Sequence, residues 1–234
     1  MDLTLFTTAD VLLPRLGTGH TPTLFDVCVP KDVAADPWRL PGAQRFAHRD
    51  IARMADRMAA EQEAVVICQK GLKLSIGVAA HLRALGHSAH ALAGGVLGWG
   101  DAGLPRIRDT KAAQTYVLSP PCTPNACLAV WLIRRWIAPM ADILWVPEDA
   151  GPAVADRFDG VHVPPGEDTA AILADAGLHW APLDTFMNEA RAQPDGWAAL
   201  LRAPEKVHNT PDSAALAALP VIDAAWTALR KDIP

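Results

Sequence analysis

Val65–Ser75 reads VVICQKGLKLS, and the first half of the chain is organised around it. Val65-Val66-Ile67 is a short β-branched apolar run, the pattern of a buried strand. It delivers a cysteine, Cys68. Gly71 then permits a sharp turn, and Lys70 and Lys73 set two cations beside it. From Ser75 an alanine-rich pattern carries Val78, Leu82 and Leu85 at helical spacing, with Gly86 placed as its C-cap. A cysteine between a strand end and a helix N-terminus meets loop N–H groups and the positive end of the helix dipole. Both favour the thiolate, which is the nucleophile.

Working outward, Thr23–Val27 reads as a buried strand with an acid, Asp26, near its end. Leu40-Pro41-Gly42-Ala43 is a turn signal, and Asp50–Ala60 carries Ile51, Met54 and Met58 at helical spacing. Thr7–Leu16 reads as a short helix capped by Thr7 or Thr8 and shortened by Pro14. After the central helix come a strand at His90-Ala91-Leu92, a turn at Gly94-Gly95, the segment Val96–Ala102, and Gly103-Leu104-Pro105. Strands alternating with helical segments imply βαβ units and a parallel sheet with helices on both faces, an α/β fold. The Cys68 loop would lie at the carboxyl end of one strand.

Pro105–Ala113 is charged and poor in apolar residues and reads as a linker, taken as 109–113 between a first domain, 1–108, and a second, 114–234. The second is expected to be α/β to mainly α. It has strands at Thr115–Leu118 and Ile143–Val146, and a helix at Ala126–Ile137 ended by Pro139. Helical patterns follow at Ala153–Arg157 and Thr169–Ala176. Beyond Trp180 the pattern is helical and alanine-rich, with breaks at Pro194, Pro204, Pro211 and Pro220.

The 234 residues are half hydrophobic, enough for one large domain or two small ones. A net charge of −5 without a basic run excludes a nucleic-acid binder that works by neutralising phosphates. The start of the chain shows no basic region followed by an apolar stretch, so no signal peptide and no membrane span are expected. Cys28, Cys68, Cys122 and Cys127 show neither a disulfide scaffold nor a zinc pattern, and reduced cytoplasmic thiols are expected. His87 and His90 flank a turn without metal-ligand spacing and read as surface residues. No metal and no cofactor is expected.

Four stretches of the first half resemble the rhodanese family of sulfurtransferases. They are Leu24-Phe25-Asp26-Val27; Leu40-Pro41-Gly42-Ala43; Val66 through Gly71; and Leu92-Ala93-Gly94-Gly95 followed by Trp99 and Ala102-Gly103-Leu104-Pro105. They stand in the family's order over residues 1–108. Two positions depart from it: Cys28 stands where Arg usually follows Asp-Val, and Lys73 keeps one cation at the loop end without a guanidinium. The resemblance implies sulfane-sulfur transfer from an anionic donor such as thiosulfate to a thiol or cyanide acceptor, through a persulfide on Cys68. The N–H groups of Gln69, Lys70, Gly71, Leu72, Lys73 and Leu74 would cradle the sulfur, and Lys70 and Lys73 would draw in the donor. Phosphatases with loops of this shape clamp the anion with Arg where this chain has Leu74. Asp26 is expected to tie down loops, and Trp99 to plug the core beneath Gly94-Gly95.

The second half resembles the C-terminal domain of chromate-resistance proteins in Trp131 through Ile137 with Pro139, and in Asp142 through Pro147. That family's Asp-Arg and Cys-Pro pairs fall here on Asn125, Ala126, Ala129 and Val130. The alternative function implied is a chromate- or oxyanion-resistance accessory or regulatory protein. Its rhodanese unit would sense or shuttle while the C-terminal domain binds a partner. Three readings stay two-sided. Cys28 is a redox partner of Cys68 or a small apolar filler. Cys122 and Cys127 are a redox pair or two unrelated thiols. Arg134-Arg135 is a solvated helix face or an anion site.

Overall fold

Five strands of the first unit run parallel in the order β1-β6-β5-β2-β4. The structure is a computed structural model and describes residues 5–58, 62–109, 115–166, 169–192 and 194–230. The chain divides into two units: Met1–Leu16 with His20–Thr110, and Gly17–Gly19 with Lys111–Pro234. In the first unit the elements follow as β1 (Phe6–Thr7), α1 (Ala9–Leu12), β2 (Thr23–Asp26), α2 (Pro30–Ala35), β3 (Trp38–Arg39) and β4 (Gln44–Arg45). Then come α3 (Ile51–Ala55), β5 (Glu63–Ile67), α4 (Lys73–Ala84), β6 (Ser88–Leu92), α5 (Gly95–Asp101) and β7 (Ile107–Arg108).

β5 is the middle strand, and Ala64 through Ile67 are all 0% exposed. A strand covered on both faces must be apolar throughout, which is why Val65-Val66-Ile67 does not alternate. On one face Ala64 and Val66 join a cluster with Phe25, Val27, Met54, Val78, Ala79 and Leu82. The parallel sheet flanked by helices is the fold class expected from the sequence.

Four local features differ from the sequence reading. Phe6–Thr7 is a strand rather than a helix start, because it pairs with β6, Phe6 opposite Ala91 and Thr7 opposite Leu92. Two residues carry no readable period, so only that pairing decides them. The helix that follows is short and runs into a 3₁₀ turn holding Pro14. α4 begins at Lys73, two residues ahead of Ser75, and ends as the sequence suggests. Gly86 takes φ +93° and donates to the Arg83 carbonyl at 3.0 Å, while His87 donates to Leu82 at 3.0 Å, a Schellman closure. His90 is buried rather than on the surface: β6 starts at Ser88 and carries it inside, its Nε2 3.8 Å from Glu63. Ile107 and Arg108 belong to no linker, for they pair antiparallel with β3, and Ile107 is 1% exposed. Residues 110–113 of the expected linker lie outside the described residues.

In the second unit β8 (Thr115–Leu118), α6 (Pro124–Leu132), β9 (Asp142–Trp145), α7 (Gly151–Arg157) and β10 (Val161–His162) build a parallel sheet of order β10-β8-β9. α6 passes into a π-helical turn, Ile133–Ile137, before Pro139. The rest is helical: α8 (Thr169–Asp175), α9 (Ala181–Ala192), α10 (Pro194–Val207) and α11 (Pro211–Leu229). Pro194 and Pro211 stand at helix starts, where a missing N–H costs nothing. Pro204 and Pro220 do not break the helices as expected, but lie inside α10 and α11. At Pro220 the reason is its exposed position. The lost bond is on the outer side, while Ala214, Ala215, Ala218, Leu219, Ile222 and Trp226 hold the other face in the core.

That core is aromatic. Trp131, Trp136, Trp180, Phe186 and Trp226 pack edge-on or tilted with centroids 5.4–6.2 Å apart. Asp223 is its polar hub, taking Trp131 Nε1 at 2.9 Å, Arg135 through two nitrogens at 3.1 and 2.8 Å, and the Gly19 N–H at 2.9 Å. Arg134 donates to the Pro139 carbonyl at 3.0 Å. Arg134-Arg135 is therefore neither a solvated face nor an empty anion site. Among the described residues α11 is one helix long and apolar enough to cross a membrane, by length and composition only.

Candidate active site

Cys68 is the first residue beyond the middle strand. The chain leaves β5 for β6 on one side, while from the neighbouring β2 it runs to β4 on the other, which opens a crevice at the carboxyl ends of the strands. Its residue is 5% exposed. The Leu72 N–H points at Cys68 Sγ from 3.3 Å, and Ser75 Oγ lies 3.2 Å from the same sulfur. Ser75 is itself 0% exposed and also reaches the Leu72 carbonyl at 3.1 Å. One hydroxyl thus ties the sulfur to the backbone of its own loop. Ser75 sits two residues into α4, close to the dipole's positive end.

Two glycine positions let the loop take this shape. Gly71 has φ +65°, and a Cβ there would meet the Leu92 carbonyl and come within 2.7 Å of the Gly94 nitrogen. Gly95 has φ +60°, and its Cβ would meet the Cys68 carbonyl and the Gly71 nitrogen. Backbone packs directly on backbone here. The first amides of α5 then close the contact, Val96 N–H to the Cys68 carbonyl at 3.1 Å and Leu97 N–H to Gln69 at 3.0 Å. Beneath them Trp99 is 1% exposed and donates Nε1 to Pro105 at 2.8 Å.

The other residues named from the sequence divide by exposure. Lys70, Leu72 and Lys73 are exposed, Gln69 is half-buried, and Gly71 is buried. Leu74 turns inward and packs on the core cluster. Of the loop amides, that of Leu72 reaches the sulfur. Ser75 is the contact absent from the sequence-based list. The signal for it is a hydroxyl seven residues after the cysteine, in the first turn of the helix.

Asp26 is 0% exposed and does tie loops together. It accepts the Cys28 N–H at 2.8 Å and Arg45 at 2.9 Å, and Arg45 reaches on to Asp109 at 3.0 Å. Burial and the neighbouring Asp26 carboxylate push the Cys28 thiol up, with the Arg45 guanidinium opposing and Cys68 adding to the rise. Cys28 is thus held as a thiol, a poor nucleophile.

In the second unit, Leu118 and Ser119, the start of α6 through Asn125, Ala126 and Ala129, and Val163 through Gly166 line a cleft. It lies at the carboxyl end of β8. Three of the four positions where the chromate-resistance resemblance would put polar groups, 125, 126 and 129, face it as Asn and Ala. Among the described residues no three metal-ligating side chains cluster. Cys122 and Cys127 are not unrelated: their sulfurs are 3.0 Å apart.

No protein-family model matches the chain, and no curated protein matches it. Solved structures similar to about two fifths of the chain include proteins described as rhodanese-like and one of Rhodopseudomonas palustris described as a possible tyrosine phosphatase. A rhodanese-like domain protein of Staphylococcus aureus is 26% identical over 42% of this chain and 92% of its own, with TM-score 0.36. A rhodanese-related protein of Thermoplasma volcanium is 19% identical over 44% of this chain and 96% of its own, with TM-score 0.37. A Staphylococcus saprophyticus protein is 23% identical over 42% and 96%, with TM-score 0.36. At these TM-scores the likeness decides nothing about activity, and the fold stands on the sheet topology above.

Proposed function

We propose that the first unit is a sulfurtransferase in which Cys68 carries sulfane sulfur. One observation carries the reading: a cysteine sulfur at the carboxyl end of the middle strand, with the Leu72 N–H and the Ser75 hydroxyl both on it. Two contacts on one sulfur hold it in place for attack.

The Cys68 thiolate attacks the outer sulfur of a donor such as thiosulfate. A new S–S bond forms, the donor's S–S bond breaks, and sulfite leaves with the electron pair. Cys68 then holds a persulfide. A cyanide or thiol acceptor attacks its outer sulfur and the Cys68 thiolate returns, so the two half-reactions are ping-pong. No general base is needed when the attacking group is already ionised. Lys70 and Lys73, exposed at the rim, raise the local concentration of an anionic donor and stabilise departing sulfite. Phosphoryl transfer is a poorer fit, because Leu74 offers the core a side chain where an anion clamp would be needed.

The test is intact mass after incubation with thiosulfate. One added sulfur atom is expected, removed by cyanide and absent in Cys68→Ala. No adduct on a protein whose Cys68 is reduced and alkylatable would overturn the assignment with thiosulfate as donor. It would move the accessory or regulatory role forward.

A further inference from the structure

Thr123 caps α6, accepting the Ala126 N–H at 3.2 Å, and Pro124 is the first helical residue. Cys122 therefore precedes the cap and Cys127 is the fourth helical residue. These two positions meet when a helix entry is fixed by a side-chain staple. Here both staple residues are thiols. Cys122 is 1% exposed and Cys127 0%, and their sulfurs lie 3.0 Å apart.

We propose that Cys122 and Cys127 are a reversible redox pair that closes to an intramolecular disulfide with hydrogen peroxide as oxidant. A disulfide needs the sulfurs at about 2.05 Å, roughly one ångström nearer. A metal ion at about 2.3 Å from each sulfur in tetrahedral geometry would hold them farther apart than they stand. The direction of least movement is the covalent bond. One thiol gives its sulfur's electron pair to a peroxide oxygen, becoming a sulfenic acid as one water leaves. The second thiol attacks that sulfur, the S–S bond forms and a second water leaves. Two thiols and one peroxide become one disulfide and two waters.

Burial suits a small neutral oxidant. The cover is thin, since Pro121 and Thr123 on either side of Cys122 are exposed. The partner at 3.0 Å captures the sulfenic acid before a second oxidation. The bond would pin the end of β8 to the first turn of α6. That is the wall formed by Ser119, Pro121, Thr123 and Asn125 in the cleft, so the oxidation state fixes one side of it.

The experiment uses the unmodified full chain. It is treated with peroxide, its remaining thiols are blocked by iodoacetamide under denaturing conditions, and it is cut with trypsin. Both cysteines fall on the peptide 112–134 between Lys111 and Arg134. That peptide is expected two hydrogens lighter than its dithiol form and unalkylated, and dithiothreitol should return it to the doubly alkylated form. In Cys122→Ser the peptide should instead gain oxygen on Cys127. A wild-type peptide that keeps both thiols while Cys68 is consumed overturns the proposal, as does one that gains oxygen without losing hydrogen.

Discussion

The Cys68 sulfur has the Leu72 N–H at 3.3 Å and the Ser75 hydroxyl at 3.2 Å, and the hydroxyl predicts a kinetic effect. Ser75→Ala removes a hydroxyl from the sulfur that would attack the donor. Such a bond is worth about 1.5–3 kcal/mol, so kcat/KM for sulfur transfer should fall roughly 10–100-fold with the fold retained. An unchanged rate would make Ser75 a packing residue. Lys73→Ala acts differently, because the ammonium is exposed at the rim. It should raise KM for thiosulfate several-fold, more at low salt, and leave iodoacetamide alkylation of Cys68 nearly unchanged. Cys28 supplies a pH effect. Its folded pKa is raised above the unfolded value of about 8.5, so its contribution to stability is full below that pH and is lost as pH rises above it. Urea midpoints should fall between about pH 8 and 10 more in wild type than in Cys28→Ala. Parallel curves would contradict the burial account.

At the scale of elements, the β6–α5 turn and the Cys68 loop are one construction. Gly95 exists because its φ of +60° and the closeness of the Cys68 carbonyl leave no room for a side chain. Gly95→Ala should cost well over about 1 kcal/mol in urea unfolding followed by far-UV circular dichroism. It should also slow sulfur transfer, since the Cys68 carbonyl must move. A variant with wild-type stability and rate would refute the close-packing account. The Gly-Gly pair was legible in the chain as a turn, but its partner was not. Which loop it touches depends on β5 and β6 being neighbours. α4 was legible at both ends to within two residues, because capping is local. β1, β3 and β7 were not, because two-residue strands exist only through the strands they pair with.

Across the whole molecule the two units are specified in different ways. The first is a layered sheet with Cys68 at one strand end. The second adds to its small sheet a helical region centred on tryptophans and Asp223. Removing one partner of a largely buried charge pair costs about 3–5 kcal/mol, and somewhat less for a pair with part of its surface in water. Asp223→Ala should lower the unfolding midpoint of the second unit by several degrees, read by fluorescence of its tryptophans. A midpoint shift under one degree would mean that Arg135 and Trp131 find water instead. The sequence alone determined the parallel α/β class, the cysteine at a strand end, its loop and the glycine turn opposite. Each is encoded within a few residues, by hydrophobic period, turn chemistry and capping. Only the tertiary structure decided that the Gly94-Gly95 turn packs on the Cys68 loop and that Arg135 is consumed by Asp223. Those contacts depend on helix phase and on pairings between distant segments, which no local pattern in the chain carries.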